Sequence, residues 1–349
     1  MNEFPRPHLL HAQSPVHLVV PLRPGADLDL ARSQLSGAFA HCAHPVVWHV
    51  PRERGGIVQL AAHAANAARD TAGLLVAAGG DGTINAVAAA ALKAGVPMGV
   101  VPMGTFNYFS REQGLELDAE AAVLQMLQAL REGDLRPVQV GFVNHRVFLV
   151  NASVGLYPRL LAEREQATRR FGRKRWVATG AEVWSMLRPS AGRRWRVLVR
   201  THQGGQVCEQ EHVVTTLFVG NNPLQLEQVG LPEAESVARG GQLAVVMLRP
   251  QSRWAMLRTI WRAAMGQLEQ DPAVLSLACA ELSVEPAGWR QGKVKVAFDG
   301  ESERMHAPLH FKLHSRPLWL VAPTALERSP QASTVQAGAD KPAPVLAAV

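Results

Sequence analysis

The chain has 349 residues, of which 47% are hydrophobic and 19% charged, and this composition fits a soluble globular protein with two domains. Apolar runs are interrupted by charges such as Asp81 and Lys93 before they reach bilayer length, and the amino terminus does not read as a signal peptide. Three widely spaced cysteines exclude a disulfide framework and favour a reducing compartment. We therefore expect a chain that does not cross membranes.

Positive charge is concentrated in residues 159–200, which contain twelve Arg or Lys and three Glu, within a chain of net charge +7. Five of these cations lie in residues 169–175, directly before a segment in which Trp176, Trp184 and Leu187 recur at helical spacing. Such a surface suits a phosphate-rich partner, an anionic membrane or a nucleic acid. The alternative is a solvated helix face.

Strand-like and helix-like runs alternate through the first part of the chain. Strands are predicted at 16–22, 45–50, 73–80 and 97–104, and helices at 29–42, 57–70, 83–95 and 118–133. Alternation of this kind predicts a parallel sheet covered by helices on both faces. Its right-handed crossovers bring every strand-to-helix turn to one edge, where ligands bind.

After Pro137 the pattern changes to short strands separated by turn residues. They are predicted at 138–155, 194–201, 212–221, 242–250, 280–286, 294–301 and 309–314, with helices in the 160s to 180s and near 252–267. This pattern predicts an antiparallel β-domain. The expected domains are therefore residues 14–137 and 138–325, followed by an Ala- and Pro-rich flexible tail at 326–349.

The first motif is Gly-Gly-Asp-Gly-Thr at residues 79–83, between a predicted strand and a predicted helix. Gly79 and Gly80 permit a sharp turn and a close approach to a ligand, and the helix start offers N–H groups to an anion. Because no GK[ST] follows, Asp81 is expected to act on a polyphosphate through a bridging Mg²⁺. The alternative is a structural turn in which Asp81 caps the helix.

A second turn lies in "VPMGTFNYFSRE", residues 101–112, and again joins a predicted strand to a predicted helix. The topology of a parallel sheet brings Gly104, Thr105 and Asn107 to the same edge as Asp81. Together the two turns resemble the catalytic domain of the diacylglycerol kinase family, which includes bacterial lipid kinases and sphingosine kinases. The family pattern is GGDGT followed by PxGTxN.

The resemblance extends through most of the chain. The segment "NASVGLYPRL" at 151–160 is similar to the entry into the family's second domain, "VGNN" at 219–222 to its next landmark, and "VAFDGES" at 296–302 to its late DGE motif. It implies an α/β nucleotide-binding domain with a parallel sheet, an antiparallel β-sandwich domain for the lipid, and an active site in the interdomain cleft.

The resemblance also implies cofactors and partners. These are ATP and Mg²⁺, a lipid alcohol such as diacylglycerol, and the anionic inner face of the cytoplasmic membrane, with the protein cytoplasmic and peripherally bound and no nucleic-acid partner. Glu301 corresponds to the proton acceptor. The predicted nucleotide-binding residues are Gly79, Gly80, Asp81, Gly82, Thr83, Ile84, Asn85, Ala86, Gly104, Thr105 and Asn107.

Phosphoryl transfer to an alcohol independently requires metal neutralisation and a carboxylate that accepts the hydroxyl proton. Asp81, Asp299 and Glu301 supply carboxylates for catalysis, with Asp81 as the metal ligand. For the DGE motif alone, the simpler interpretation is a hairpin with an Asp-Gly turn.

The sequence also departs from the family pattern. "PLRPG" at 21–25 lacks the asparagine and serine of the family's NPxSG, and the threonine expected near 50–56 is missing. Tyr108 stands where an aspartate often follows the GTxN asparagine. Gly240 stands in "GGQL" where the family's DGxL supplies a structural Mg²⁺ ligand in some members, so no such metal site is expected here.

Two other functions remain open at this point. One is a kinase of NAD or of sugar phosphates, which also uses a GGDG turn, although "PMGTFNYF" and the absence of a TPTGS-like segment fit an NAD kinase poorly. The other is a lipid- or nucleic-acid-binding protein that keeps the fold without catalysis. The lipid kinase interpretation accounts for the most motifs.

Overall fold

The structure is a computed structural model, and it describes residues 14–21, 35–40, 42–51, 56–155, 194–203, 206–221, 240–250, 252, 255, 258–259, 262, 271–288 and 292–323. These residues fall into two compact units. The first unit runs to Val140 and resumes at His314, and the second comprises Gly141–Leu313.

The first unit is built on strands β1 (Val16–Val19), β2 (Val46–His49), β3 (Leu74–Gly79), β4 (Met98–Pro102) and β5 (Leu135–Val138). The first four pair in parallel, as predicted, and their order in the sheet is β2-β1-β3-β4. Strands β3 and β4 are buried at every position, as expected for a sheet covered on both faces.

The described helices of this unit are α1 (Ile57–Asp70), α2 (Asp81–Ala94), α3 (Tyr108–Glu112) and α4 (Ala119–Glu132), and residues 35–39 are also helical. Helix α2 buries Ile84, Val87, Ala88 and Ala91, which recur at three- and four-residue intervals and so form one face. It ends at Gly95, whose φ of 71° is the left-handed conformation that glycine adopts most readily. The 3.6-residue periodicity thus gives α2 its buried face.

The second unit contains two antiparallel sheets. Its strands are β6 (Gly141–Val143), β7 (Arg146–Phe148), β8 (Asn151–Val154), β9 (Trp195–Gln203), β10 (Gln206–Val214), β11 (Thr216–Gly220), β12 (Leu243–Leu248), β13 (Val274–Cys279), β14 (Glu281–Pro286), β15 (Lys293–Phe298), β16 (Glu301–His306) and β17 (Leu309–Leu313). One sheet has the order β10-β9-β14-β17-β6-β7 and the other the order β13-β12-β11-β8-β15-β16.

The two sheets share one hydrophobic core. Phe148, Trp195 and Phe311 from the first sheet join Leu217 and Met305 from the second in a single buried cluster. Inward-facing residues of both sheets form the core of a β-sandwich in this way. The predicted fold class, a parallel α/β domain and an antiparallel β-sandwich, is confirmed.

The division between the units differs from the predicted one. Strand β18 (Leu318–Val321) lies between β4 and β5 in the first unit's sheet, parallel to β4 and antiparallel to β5. The chain therefore leaves the first unit at Val140, close to the predicted boundary at 137, and returns at His314 rather than staying in the second domain to 325.

Several sequence predictions lie outside the described residues. These are the basic segment up to residue 193, most of the "PLRPG" segment and the tail at 326–349. Within the described part of the chain, no helix is both long and apolar enough to cross a bilayer.

Candidate active site

The first site element is the turn from β3 into α2. Gly80 is the N-cap residue of α2 with an extended backbone, and Ile84 N–H donates to the Gly80 carbonyl at 3.0 Å to start the helix. A Cβ atom at Gly79 would lie 2.7 Å from the Thr83 side chain, so only glycine lets the strand end under the first helical turn. The N–H groups of that first turn have no partner within a helix and are suited to an anion.

The second site element is the turn from β4 into α3. Asn107, with φ 50° and ψ 45°, precedes α3, and its side chain holds the turn closed. Its Oδ1 accepts a hydrogen bond from Gly104 N–H at 3.0 Å, and its Nδ2 donates to the Gly104 carbonyl at 3.2 Å. Arg111 Nε also donates to the Phe106 carbonyl at 2.9 Å. Asn107 is therefore tied to the backbone of its own turn.

These two turns contact each other through their glycines. A Cβ atom on Gly104 would lie 2.7 Å from Gly80 Cα and 2.5 Å from Asn107 Oδ1. Met103 N–H donates to the Gly79 carbonyl at 2.9 Å and aligns the strand ends. The predicted meeting of the two motifs at one sheet edge is thus present, with two backbones so close that no side chain fits between them.

Asp81 connects the two turns. It is the first residue of α2, but α2 has no side-chain cap, so the alternative in which Asp81 only caps its own helix is not what the structure shows. Instead its Oδ1 accepts a hydrogen bond from Phe109 N–H, at the start of α3, at 3.4 Å. Burial raises the pKa of Asp81, while the N–H groups of Phe109, Asn107 and Tyr108 lower it.

The remaining predicted nucleotide-binding residues differ in exposure. Thr105 is exposed, and Gly82, Thr83, Asn85 and Ala86 are half-buried on the first two turns of α2. The Ile84 side chain is fully buried, so only its backbone could face a ligand. In the described part of the chain, no group of three His, Cys, Asp or Glu is arranged to hold a metal ion.

A pair of aromatic side chains lies on the second turn. The rings of Phe106 and Tyr108 are stacked, with centroids 5.6 Å apart and planes within 6°. The Phe106 side chain is 48% exposed. Tyr108, which replaces the aspartate frequent in the family, thus contributes an aromatic surface next to Asn107.

In the second unit, Asp299 binds the backbone that joins β7 to β8. Its carboxylate accepts hydrogen bonds from the N–H groups of Leu149 (2.7 Å), Val150 (2.9 Å) and Asn151 (3.0 Å). The residue is buried, and its φ of 44° lies in the left-handed region. Three N–H donors hold the Asp299 carboxylate in one place.

Asn221, directly after β11, binds the same backbone. Its Nδ2 donates to the Leu149 carbonyl at 3.0 Å, and its N–H donates to the Val150 carbonyl at 2.8 Å. The three landmarks singled out in the sequence, "NASVG", "VGNN" and "VAFDGES", therefore converge on residues 149–151.

Glu301 lies two residues beyond Asp299, at the start of β16, and is exposed. Its carboxylate makes no hydrogen bond with any described residue. Loss of hydration near the protein surface raises the pKa of Glu301, with Arg146 lowering it and Glu303 raising it further. An unbonded carboxylate with a raised pKa is suited to accept a proton.

Sequence reasoning did not identify Arg146 or Glu303. Arg146 Nε donates to Glu303 Oε2 at 2.6 Å, across 157 residues of sequence. The only local signal is the acidic alternation Asp299, Glu301, Glu303, which puts three carboxylates at every second residue. Without the pairing of distant strands, the partner of Glu303 has no signature in the sequence.

Comparison with known proteins agrees with the motifs. Residues 30–143 match the diacylglycerol kinase catalytic domain. A probable lipid kinase, YegS-like, from Cronobacter sakazakii is 35% identical over 118 residues, which cover 32% of this chain and 36% of that protein. A diacylglycerol kinase from Bacillus subtilis is 25% identical over 231 residues, covering 65% of this chain and 71% of that one.

A crystal structure of a diacylglycerol kinase from Bacillus anthracis strain Sterne has the same fold. It aligns over 89% of this chain and 97% of its own, with a TM-score of 0.55 and 17% sequence identity. The alignment with the Cronobacter protein spans only a little over a third of that relative. Both turn motifs that suggested this resemblance lie within residues 30–143, the part of the chain that matches that catalytic domain.

Proposed function

We propose that the chain is an ATP- and Mg²⁺-dependent lipid kinase that transfers the γ-phosphate to the hydroxyl group of diacylglycerol or a similar lipid alcohol. The observation that carries this proposal is the contact of Gly80 with Gly104 beside the Asp81 carboxylate. It brings two backbone turns and one helix start to one place, which is the arrangement that phosphate groups require.

The donor set at Asp81 fits Mg²⁺. Mg²⁺ is usually bound by one or two carboxylates and takes its other ligands from substrate phosphates and water, so a single half-buried aspartate is sufficient. When bound, Mg²⁺ would neutralise phosphate charge and make the phosphorus atom more open to attack by the hydroxyl group. Residues 79–83 of the first turn would bind the phosphates through backbone N–H groups, whereas the Gly104 N–H of the second turn is already donated to Asn107 Oδ1.

We assign the proton acceptor to Glu301 and a positioning role to Asp299. Both Asp299 oxygens accept backbone N–H bonds, which favours a role in fixing the turn before β16. Glu301 is exposed and has no hydrogen bond with described residues, which favours the proton-accepting role. The interdomain position of the active site stays a prediction.

The substrate implies a partner surface. A lipid alcohol remains in its bilayer, and the cations of residues 159–200 would attract the enzyme to an anionic membrane surface. We therefore propose peripheral binding to the anionic inner face of the membrane, with no nucleic acid involved.

The test is a transfer assay with γ-labelled ATP and Mg²⁺ over a panel of lipid alcohols, with NAD as a separate acceptor. Label in a chloroform-extractable product supports the proposal and identifies the lipid. Label in NAD alone would favour the NAD kinase alternative. ATP or lipid binding with no transfer to any acceptor would favour a non-catalytic relative.

A further inference from the structure

Arg146 and Glu303 form an ion pair between the two sheets of the sandwich. Arg146 belongs to β7, the edge strand of one sheet, and Glu303 belongs to β16, the edge strand of the other. Arg146 Nε lies 2.6 Å from Glu303 Oε2. The pair therefore joins the open edges of the two sheets.

Both residues lie on the inward faces of their strands. Side chains of a strand alternate between its faces, so Arg146 shares a face with Phe148, and Glu303 shares a face with Met305. Phe148 and Met305 both belong to the buried core. The ion pair thus lies at the rim of the core, and its side chains are only 41% and 32% exposed.

Glu301 is on the same face of β16 as Glu303, one alternation nearer the strand start. It pairs across the hairpin with Phe298, another core residue. Asp299 anchors the chain on one side of Glu301 by its bonds to residues 149–151, and Glu303 anchors it on the other by its bond to Arg146. Glu301 is the unanchored carboxylate between two anchored ones.

We propose that the Arg146–Glu303 pair is a positioning device whose opposite charges set the pH range in which Glu301 accepts a proton from the substrate. The inference rests on the proposed role of Glu301. Arg146 favours the ionised form of Glu301, and Glu303 disfavours it. Because the pair holds the cation and the anion at fixed positions, both effects persist in the folded protein.

Other charged groups near the pair are few. His145 Nε2 lies 3.7 Å from Glu303 Oε1 and is largely exposed. Lys295 and Arg304, on β15 and β16, pair with each other on the opposite, outward face of the hairpin. The pH profile must therefore separate the effects of three described charged groups, which are Arg146, Glu303 and His145.

The test is the pH–rate profile of the full chain, measured as kcat for lipid phosphorylation. Arg146→Gln removes the cation, so the acid limb of the profile should move to higher pH. Glu303→Gln removes the anion but keeps an oxygen that can accept from Arg146, so the limb should move to lower pH. Opposite displacements by two neighbouring substitutions are not expected from a merely structural role.

Controls separate this inference from the proposed function. Arg304→Gln makes the same charge change on the outward face and should leave the limb in place, as should His145→Gln. Arg146→Lys should restore the limb toward its original position. If both pair variants keep the wild-type limb while Glu301→Gln is inactive, the inference is wrong and the role of Glu301 stands. If Glu301→Gln is fully active, the proposed role of Glu301 fails first.

Discussion

A Cβ atom added to Gly104 would lie only 2.7 Å from the Cα atom of Gly80. This distance is shorter than any ordinary contact between carbon atoms, so the turn at 79–83 and the turn at 104–107 fit together because residue 104 is glycine; a Cβ atom on Gly80 would also be close, at 3.2 Å from Gly104 Cα. A helix start and a loop that are far apart in sequence become one backbone surface.

The first prediction is that Gly104→Ala separates the two turns. The added methyl group would meet Gly80 and Asn107, and overpacking of this kind costs about 1–3 kcal/mol of stability. We expect a lower melting temperature and a KM for ATP raised more than the KM for lipid. Gly37→Ala is the matched control, since a Cβ atom there meets nothing within 4 Å, so this helical position should show no loss of melting temperature and no rise in the KM for ATP.

The second prediction concerns Asp81. Asp81→Asn keeps an oxygen for the Phe109 N–H group but removes the charge that we assign to Mg²⁺, so phosphoryl transfer should be lost while the fold is retained. Circular dichroism and melting temperature check the fold, and the transfer assay checks the chemistry. Asp70→Asn, an exposed change on α1, serves as control. Near-normal turnover in Asp81→Asn would remove this turn from the mechanism.

The sequence predicted the fold and the meeting of the two turns of the first unit for physical reasons that particular residues illustrate. The α1 prediction of 57–70 matches the observed Ile57–Asp70 because its alanine-rich pattern repeats at helical spacing and ends before a turn. The glycine pair at 79–80 and the residues Gly104 and Asn107 carry their local geometry in their residue types, and parallel topology alone brings them together.

The features that the sequence did not predict depend on the pairing of strands that are far apart in sequence. Strand β18 has an ordinary apolar pattern, and nothing in it indicates a return to the first sheet between β4 and β5. The Asp-Gly turn at 299–300 suggested a hairpin or a catalytic carboxylate. Its bonds to residues 149–151 join positions 148–150 residues apart in sequence, and they form because β15 pairs with β8.

The third prediction tests this Asp299 contact. Asp299→Ala would leave three buried N–H groups without their acceptor, and each such loss costs about 1–3 kcal/mol. We expect the free energy of unfolding in urea to fall by about 3 kcal/mol or more. In Asp299→Asn the free energy of unfolding should fall less, because asparagine tolerates a left-handed backbone and keeps one oxygen acceptor.

A double-mutant cycle with Asn221→Ala extends the Asp299 test. Both residues bind the backbone of residues 149–151, so their effects on unfolding should not add, with a coupling of at least about 0.5 kcal/mol. Additive effects would show that the two side chains act on this segment independently.

The fourth prediction concerns the cations of residues 169–175. The chain should bind anionic vesicles better than neutral ones, and binding should weaken with salt, because such attraction is screened. Replacing Arg169, Arg170, Arg173, Lys174 and Arg175 by Gln should reduce activity on vesicles much more than on detergent-dispersed lipid. Equal losses in both assays would assign these residues to the fold or active site instead.

The most direct measurement is the rate at which the wild type and Glu301→Gln transfer label from γ-labelled ATP to extractable lipid. The ATP affinity of both proteins is measured in parallel. The account predicts transfer by the wild type, and a turnover number lower by about 10²- to 10⁴-fold in Glu301→Gln with ATP affinity little changed. Full activity in Glu301→Gln together with an inactive but folded Asp299→Asn would contradict the account and reverse the roles of the two carboxylates.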